Sequence, residues 1–411
     1  MTRVAGFWCS LALLVMAPVV LTGQTLPPSA PLTFDTALNL AANRNLRVEA
    51  ARRQRGVREA AVRTAGLLPN PDISAESSRD VPHQAVSLDV PLELGGKRSR
   101  RVDLAKEELS LAEGDVQVEL RSVRREVREA FYSLIAANER VRLAQNALEI
   151  AQRLRDIAQA RFEAGAVPRL EVLQADLGVA RASTDLDLVR SLATSFRATL
   201  NGVLNLPPDQ PTEVSGSMAD HTLASPTYEE ARRIALASNI DLLNLDRQAA
   251  VERRRTDLLR AERVPTPIFS FGAVLNAPGE FNVGPRIGIN MGVPLFNRNQ
   301  GDIAGSLAAT SQLRAQREAT QRTIENALFG TIGRIQAQRQ RADAYTSRLV
   351  PTAVDLESLA EESYRAGRTS VLSVLDAQRT VRDVREEALQ AALDVQTSIA
   401  ELEELLGTVV Q

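Results

Sequence analysis

Residues 162–175 read FEAGAVPRLEVLQA, and residues 364–377 read YRAGRTSVLSVLDA. The second stretch repeats the first about 200 residues later, with a glycine at its fourth position and the same Val-Leu-x-Ala ending. The segments before them recur in the same order, as Pro-x-Pro and then Val-Pro-Leu: Pro69-Asn70-Pro71, Val90-Pro91-Leu92, Pro265-Thr266-Pro267 and Val293-Pro294-Leu295. The chain therefore contains two copies of one supersecondary unit, and such copies are expected to lie side by side.

The composition is typical of long helices, since Ala, Leu, Val, Arg, Glu and Gln dominate and aromatic residues make up only 4%. A formal net charge of −2 gives no reason to expect nucleic acid as a partner. The apolar run after Arg3 indicates a signal peptide over residues 1–23, with an uncleaved membrane anchor as the alternative. The single cysteine, Cys9, lies inside this segment, so the mature chain is expected to have no disulfide.

Each repeat reads as helix, β-hairpin, very long helix, tight turn and helix. The expected boundaries are an N-terminal linker at 24–32, a first repeat at 33–206, a second linker at 207–226 and a second repeat at 227–407. The β-hairpins are expected at about 71–94 and about 267–295, where proline and turn-forming residues end the preceding helices. Those preceding helices, 33–66 and 228–263, show no internal break in the sequence pattern and are expected to be continuous.

The long helices are predicted at about 97–164 and about 301–366. The first contains no proline and carries an apolar seam whose spacings alternate between four and three, which is typical of coiled-coil packing. The seam consists of Val116, Leu120, Val123, Val127, Ala130, Leu134, Ala137, Val141, Ala144 and Leu148. The second contains Pro351, which should kink the helix or open it locally.

The second strand of each hairpin has one apolar and one polar side. The apolar positions are Val86, Leu88, Val90, Leu92 and Leu94 in the first repeat, and Ile287, Ile289, Met291, Val293 and Leu295 in the second. Alternation of this kind predicts strands, and four such strands would leave open edges and an uncovered apolar face. If the exported chain enters a bilayer, it must do so as a closed barrel of at least eight strands, and three chains would supply twelve. A soluble exported coiled coil with hairpins is the alternative.

With these elements in this order, the chain resembles the TolC-like outer membrane efflux family over essentially its whole mature length. The resemblance implies a mainly α fold with a small membrane β part. In that fold, duplicated long-helix hairpins form an α-barrel, and four strands per chain contribute to a trimeric 12-stranded β-barrel. It also implies a homotrimer in the outer membrane that extends into the periplasm and acts as a passive exit duct. Its partners would be outer membrane lipid, a periplasmic adaptor (membrane fusion protein) and an inner-membrane RND-type pump.

Two phrases are similar to those of the cobalt–zinc–cadmium, or heavy-metal, efflux subfamily. They are LELGGKR at 92–98 and PLFNRNQG at 294–301, each at the junction between a hairpin and a long helix. The resemblance therefore implies export of heavy-metal cations. A duct for a drug pump or for type I protein secretion is the alternative, because the partner pump decides the substrate. A periplasmic adaptor is disfavoured because the strands are too few for its β domains.

The residues of catalysis and metal binding are missing. His83 and His221 have no neighbours at triad or ligand spacing and are expected to be exposed loop residues. Gly95-Gly96-Lys97 lacks the upstream glycine and the following Ser or Thr of a phosphate loop. Outside the signal segment only Met218 and Met291 remain as soft ligands, so the sequence predicts no metal site, no cofactor and no enzyme.

The two turns after the long helices are the candidate docking sites. Gly165, Ala166 and Val167 form one turn, and Gly367, Arg368 and Thr369 form the other. Glycine at such positions ends helices, so simple turn chemistry is one reading. The family resemblance implies instead that these exposed tips dock the adaptor.

The candidate pore gate lies just beyond the turns, at Glu171 and Asp376. The resemblance places Asp376 at one acidic position of the family's pore constriction. Ser373 occupies the other acidic position, and Glu171 is the first-repeat counterpart of Ser373. In a trimer each carboxylate would become a ring of three, which favours cations. Arg365 and Arg368 are candidate partners in a closed state. A solvated helix face is the alternative.

Overall fold

The computed structural model describes residues 31–80, 83–220, 226–277 and 281–408. The signal segment and His221 lie outside these ranges. The first repeat comprises α1 (Phe34–Arg44), α2 (Leu46–Ala65), β1 (Asp72–Ser77), β2 (Gln84–Pro91), α3 (Lys97–Glu163) and α4 (Arg169–Val203). The second comprises α5 (Tyr228–Ser238), α6 (Ile240–Ala261), β3 (Pro267–Ala277), β4 (Phe281–Met291), α7 (Gln300–Ala344), a π-helical segment (Tyr345–Leu349), α8 (Val350–Arg365) and α9 (Val371–Leu406).

Helix α3 confirms the predicted long helix, with 67 residues and no interruption. Every residue of its predicted seam is buried or half-buried. Burial of a continuous heptad stripe along one helix requires other helices to run beside it for its whole length. On one side α3 packs against α2 and α4 of its own repeat, and on the other against α6 and α9 of the second repeat.

The helices follow the same order as the strands. The sheet runs β1-β2-β3-β4, and all neighbouring strands are antiparallel. The helices attached to these strands pack in the order α2, α3, α6 and α7. Nearer the turns the order is α4, α3, α9 and then α7 with α8. The chain therefore has two open edges, one formed by β1, α2 and α4, the other by β4, α7 and α8.

The prediction of continuous helices at 33–66 and 228–263 is wrong, because each is broken at an asparagine. Asn45 and Asn239 adopt extended backbone angles, and their side chains accept hydrogen bonds from the second backbone amides of α2 and α6. Each also donates from Nδ2 at 2.9 Å, Asn45 to the Val203 carbonyl and Asn239 to the Leu405 carbonyl. In each repeat the asparagine therefore caps the helix that follows the break, and it ties that helix to the end of the last helix of the same repeat.

The predicted strands are present, but the second strand of each hairpin ends earlier than expected. Strand β2 stops at Pro91 and β4 at Met291, short of the expected 94 and 295. The amide of Leu92 makes a last ladder bond to the Pro267 carbonyl at 2.8 Å. Beyond it, the Glu93 carboxylate is held by Arg101 of α3 at 2.7 Å, which turns the chain toward the helix.

The expected opening of the second long helix at Pro351 is confirmed by the π-helical segment just before it. One row of covered positions along this helix is 335, 338, 342, 345, 350 and 353, and the half-buried positions 339 and 344 lie beside it. The spacing in that row alternates between three and four except between 345 and 350, where one extra residue intervenes. A π turn absorbs one inserted residue, so the same face of the helix stays covered above and below it.

A buried polar network joins the two repeats. The Arg128 guanidinium donates to Glu403 at 3.0 Å and to Gln396 at 2.8 Å, and it lies 4.7 Å from the centre of the Phe34 ring. Gln396 and Tyr132 both donate to the Asp220 carbonyl in the linker between the repeats. Burial raises the pKa of Tyr132 to about 12, so its hydroxyl remains a donor at neutral pH.

Candidate functional site

The two turns after the long helices have the same backbone structure. Gly165 and Gly367 both have φ near +71°, a conformation that glycine adopts without a Cβ clash. In each turn the following amide closes back on the helix at 2.8–2.9 Å: Ala166 donates to Arg161, and Arg368 donates to Ser363. This is the Schellman pattern, which satisfies the last helical carbonyls.

Five of the six residues proposed for docking are exposed in the structure. The exception is Val167, which is buried, whereas Thr369 at the same place in the second turn is exposed. Removing an isopropyl group from water is favourable, and the hydroxyl of threonine gains nothing from burial without a partner. The expectation of an exposed Val167 is therefore wrong. The leucines that follow each turn, Leu170 and Leu372, are exposed.

Tyr364 connects the two turns. Its side chain is fully buried, and its hydroxyl donates to the Glu171 carboxylate of α4 at 3.4 Å. Arg161, at the end of α3, lies 4.8 Å from the centre of the Tyr364 ring and donates to the Tyr364 carbonyl at 3.1 Å. We call these three residues the tip latch. Burial, and then the charge of Glu171, raise the pKa of Tyr364, so its hydroxyl is protonated at neutral pH.

The structure does not bring the two candidate gate carboxylates together. Glu171 is half-buried in the tip latch, whereas Asp376 is exposed on α9. Within the described ranges, no ion pair or side-chain hydrogen bond involves the Asp376 carboxylate. Arg365, a candidate partner, pairs instead with Glu361 of its own helix at 2.5 Å. Asp376 is therefore left facing solvent in the single chain.

Sequence reasoning missed Arg161 and Tyr364 as members of this site. A signal was present in the repeat itself. Where the second copy has Tyr364, the first has Phe162, so only one of the two equivalent rings carries a hydroxyl that can donate to a carboxylate.

The sheet presents one continuous apolar face, and none of the residues that the structure describes covers it. Cross-strand partners share a face, and the central row of four partners is Ile73, Leu88, Phe271 and Ile287. All four are exposed, as are Val90, Ile289 and Met291 beside them. The opposite face is polar: Ser74 hydrogen-bonds Ser87 at 2.8 Å, and Arg286 on β4 pairs with Glu76 on β1 at 3.9 Å. We call the first surface the apolar sheet face.

The surroundings of the other residues considered in the sequence indicate structural roles only. His83 is half-buried, not exposed as expected, because it lies at the end of the first hairpin, where its amide donates to the Asn276 carbonyl at 3.3 Å. Gly95 and Gly96 have positive φ and turn the chain into α3. In the part of the chain that is described, no three His, Cys, Asp or Glu side chains are placed to hold a metal ion.

Across the described ranges, no helix combines the length and the hydropathy that a bilayer crossing needs.

An uncovered apolar sheet mounted on two long helical hairpins defines a subunit of a membrane channel that extends away from the bilayer. The chain belongs to the outer membrane efflux protein family, whose model matches residues 37–206 and 231–408. The protein therefore resides in the outer membrane and extends into the periplasm.

Three comparisons illustrate the relationship. The cobalt-zinc-cadmium resistance protein CzcC of Cupriavidus metallidurans is 26% identical over 401 residues, which cover 94% of each chain. The pyoverdine export outer membrane protein OpmQ of Pseudomonas putida is 28% identical over 320 residues, covering 74% of this chain and 66% of OpmQ. The crystal structure of CusC, a transmembrane channel, superposes with a TM-score of 0.74 at 15% identity, covering 91% of this chain and 92% of CusC. At that identity the likeness to CusC shows the fold alone.

Proposed function

We propose that three copies of this chain form the outer membrane exit duct of a tripartite RND-type system that exports heavy-metal cations. The duct is passive: a periplasmic adaptor joins it to an inner-membrane pump, which supplies the energy. The apolar sheet face carries this proposal. Four strands with that face uncovered and both edges open are not stable alone, and a barrel of twelve strands pairs every edge and turns the face toward lipid.

The metal assignment is supported by a relative that aligns with this chain over nearly its whole length. CzcC, by its name a cobalt, zinc and cadmium resistance protein, aligns over 94% of both chains. OpmQ, a pyoverdine exporter, supports the alternative of an organic substrate, but it aligns over 74% of this chain. In either case the wall of the duct needs no chelating site, because a passive channel only has to let the substrate pass.

A growth-inhibition panel on a strain that lacks only this gene tests the proposal. The panel covers zinc, cobalt, cadmium, nickel, copper and silver, beside lipophilic drugs and a siderophore. Sensitivity confined to metals supports the proposal and identifies the ion by the largest shift. Sensitivity to drugs or to the siderophore alone would contradict the metal assignment and keep the duct.

Asp376 and Glu171 are proposed as the pore gate. Threefold symmetry would convert each residue into a ring of carboxylates at the narrow end of the duct, and acidic rings favour cations over anions. The exposed Asp376 carboxylate is free to face such a pore, whereas Glu171 already holds the Tyr364 hydroxyl. Asp376 therefore sets the charge of the gate, and Glu171 holds it closed.

Replacing Asp376 by asparagine is expected to lower the preference of the channel for cations and to change its conductance. The substitution removes three charges from the ring and keeps the size of the side chain. Reversal potentials in planar bilayers with a salt gradient measure the effect. Asp383→Asn is the matched control, because Asp383 is also exposed on α9 and has Arg382 beside it at 3.5 Å. An unchanged cation preference in Asp376→Asn would exclude Asp376 from the gate.

Replacing Tyr364 by phenylalanine is expected to make the closed channel leak. The buried ring is kept and one hydroxyl–carboxylate bond is lost, which removes roughly 0.5–1.5 kcal/mol per copy from the closed state. Spontaneous conductance in planar bilayers should rise. The control is Tyr345→Phe, which removes a hydroxyl that donates to Glu387 at 2.9 Å, away from the turns. Equal conductance of the two variants would argue against the tip latch.

The exposed turns are proposed to dock the adaptor. Gly165, Ala166, Gly367, Arg368 and Thr369 are accessible, and Leu170 and Leu372 provide exposed apolar contacts directly behind them. A rigid turn that presents a leucine gives a partner a defined shape at low cost in conformational entropy. Buried Val167 stabilises the turn from inside and is not part of the docking surface.

A further inference from the structure

Positive charge is concentrated where the helices join the sheet. Four segments make this join, each consisting of a connection and one adjoining turn of helix: residues 62–71, 92–100, 258–266 and 292–303. We call them together the basic collar. Its basic residues are Arg63, Lys97, Arg98, Arg100, Arg260, Arg263 and Arg298, and its acidic residues are Glu93, Glu262 and Asp302. The formal charge of the basic collar is therefore +4, although that of the whole chain is −2.

Four of these arginines have no carboxylate partner among the described residues. Arg98 donates from Nε to the Gly66 carbonyl at 2.6 Å, and Arg263 donates from Nε to the Arg298 carbonyl at 2.8 Å. The guanidinium groups of Arg63 and Arg298 make no hydrogen bond or ion pair to any residue that the structure describes. All four side chains belong to exposed residues, so their charge is available to a partner outside the chain.

The carboxylates in and near the basic collar do not neutralise this charge. Glu93 is held by Arg101 of α3 at 2.7 Å, and Glu262 accepts from the Asn299 side chain at 3.4 Å. The two ion pairs made by the other arginines of the basic collar are long and lie along single helices: Arg100 with Asp103 at 3.8 Å, and Arg260 with Asp257 at 3.9 Å. Exposed pairs of this kind contribute little stability.

Helix α3 begins with charges that oppose its own dipole. The amino end of a helix carries a partial positive charge, which acidic residues stabilise and basic residues destabilise. The first turn of α3 contains Lys97, Arg98 and Arg100 and no acidic residue. An anionic partner at the basic collar would relieve this repulsion.

Exposed apolar side chains lie in the same four segments. They are Leu67, Leu68, Leu92, Leu94, Val264, Val293, Leu295 and Phe296. Those that follow β2 and β4 continue the alternation of apolar positions on these strands, and Phe296 is 93% exposed. The apolar sheet face therefore runs on into the basic collar. Basic and exposed apolar residues occur together in this way at the boundary between hydrocarbon and water, where lipid phosphates lie.

We propose that the basic collar binds the phosphate groups of anionic phospholipids in the periplasmic leaflet of the outer membrane, in preference to zwitterionic phospholipids. This inference rests on the membrane placement in the proposed function, in which the apolar sheet face meets lipid, and it names the class of lipid. Because the helices extend into the periplasm, the basic collar lies at the level of the periplasmic headgroups. A guanidinium group can bind two phosphate oxygens at once, and a long arginine side chain reaches a headgroup while its apolar neighbours stay in hydrocarbon.

The proposed substrate argues against the pore wall as the place of these charges. Three copies would bring a formal charge of +12 to one level of the duct. Facing the pore, such a ring would oppose the passage of cations. Facing lipid, each arginine near an anionic surface strengthens association by about fivefold. A duct for cations is therefore consistent with a basic collar that faces lipid.

The lipid selectivity of the full-length protein, reconstituted in phosphatidylcholine vesicles, tests this proposal. Trace amounts of spin-labelled phosphatidylglycerol or phosphatidylcholine are added, and the motionally restricted fraction of the spectrum gives the relative association of each lipid with the protein. The test variant is Arg63→Gln with Arg298→Gln, because neither guanidinium group has a bond within the described chain whose loss could unfold the protein. Arg63→Lys with Arg298→Lys keeps the charge and is the conservative variant.

The matched control is Arg44→Gln with Arg314→Gln. It removes the same charge from exposed arginines of α1 and α7, neither of which has a side-chain partner in the described part of the chain. Arg314 lies 14 residues beyond the first residue of α7, or about 20 Å along the helix. The control therefore leaves the basic collar intact.

We expect the unmodified protein to hold phosphatidylglycerol several-fold more strongly than phosphatidylcholine at low salt, and to lose this preference as salt screens the charges. The test variant should lose a large part of the preference, and the lysine variant and the matched control should keep it. Equal association of both lipids with the unmodified protein would overturn the proposal, as would equal losses in the test variant and the control. Full lipid preference in a test variant whose reversal potential is altered would place these arginines on the pore wall and also overturn it.

The outcome is separable from that of the growth panel, because the lipid measurement involves no exported substrate. Sensitivity to metals together with no lipid preference would reject the role of the basic collar and leave the proposed function standing. A lipid preference that depends on Arg63 and Arg298, in a protein whose deletion sensitises cells to drugs alone, would support the basic collar and reject the metal substrate.

Discussion

Replacing Ile287 by arginine is expected to remove most of the protein from the outer membrane. Ile287 lies near the middle of β4, in the central row of the apolar sheet face. An arginine on the lipid side of a barrel costs about 2–4 kcal/mol at the bilayer midplane and less near the interfaces. In the proposed trimer this cost arises three times in one barrel. Immunoblots of separated outer membranes measure the loss.

Asn290→Arg is the matched control for this substitution. Asn290 is exposed on the same strand, but its side chain lies on the polar face, on the side of Arg286. Arginine there faces water in a closed barrel, so the variant should reach the membrane in normal amounts. If the two variants accumulate equally, the apolar sheet face does not face lipid.

Replacing Arg128 by alanine is expected to lower the free energy of unfolding by about 3–5 kcal/mol, because it removes the buried guanidinium that donates to the buried Glu403 carboxylate. Both side chains are almost completely covered, at 3% and 5% exposure. The substitution also removes the hydrogen bond to Gln396 and the contact with the Phe34 ring. Urea unfolding followed by helical circular dichroism measures the change.

Two controls separate burial from charge in this experiment. Arg125→Ala breaks the pair with Glu404, which is partly exposed, and should cost less than about 1 kcal/mol. Arg128→Met with Glu403→Leu removes both buried charges and should recover most of the loss. An Arg128→Ala protein as stable as Arg125→Ala would show that the buried pair does not hold the repeats together.

The long helices were predictable because their signal is long and locally consistent. No residue in α3 interrupts the seam, and the seam positions are all covered in the structure. Pro351 likewise predicted a local opening, since proline removes a backbone donor whatever its surroundings. The breaks at Asn45 and Asn239 were not predictable in this way. Asparagine is only a weak helix breaker, and it acts here because carbonyls from distant parts of the chain accept its amide.

The positions of the two turns were predictable, but the contacts around them were not. The repeat located both turns and the acidic residues beside them, because glycine and carboxylates are visible in the sequence. Arg128 and Tyr364 were not identified, since a charged or aromatic residue within a helix gives no sign of what covers it. The partner of Tyr364 lies on the other hairpin, and only the packing of the two hairpins brings them together.

The π-helical segment makes the long helix of the second repeat easier to bend than that of the first. Helix α3 is uninterrupted, whereas the second long helix has a π-helical segment at Tyr345–Leu349, between the body of the protein and the second turn. Bending a helix is cheapest where its hydrogen-bond ladder is already irregular. If a partner docks at the turns as proposed, force on the second turn would bend the helix at the π-helical segment, whereas force on the first turn would be transmitted along α3. In the proposed trimer, three such π-helical segments at one height would separate a stiff upper part of the duct from a lower part. In that lower part the helices of the second repeats would bend, while the α3 helices between them would stay straight.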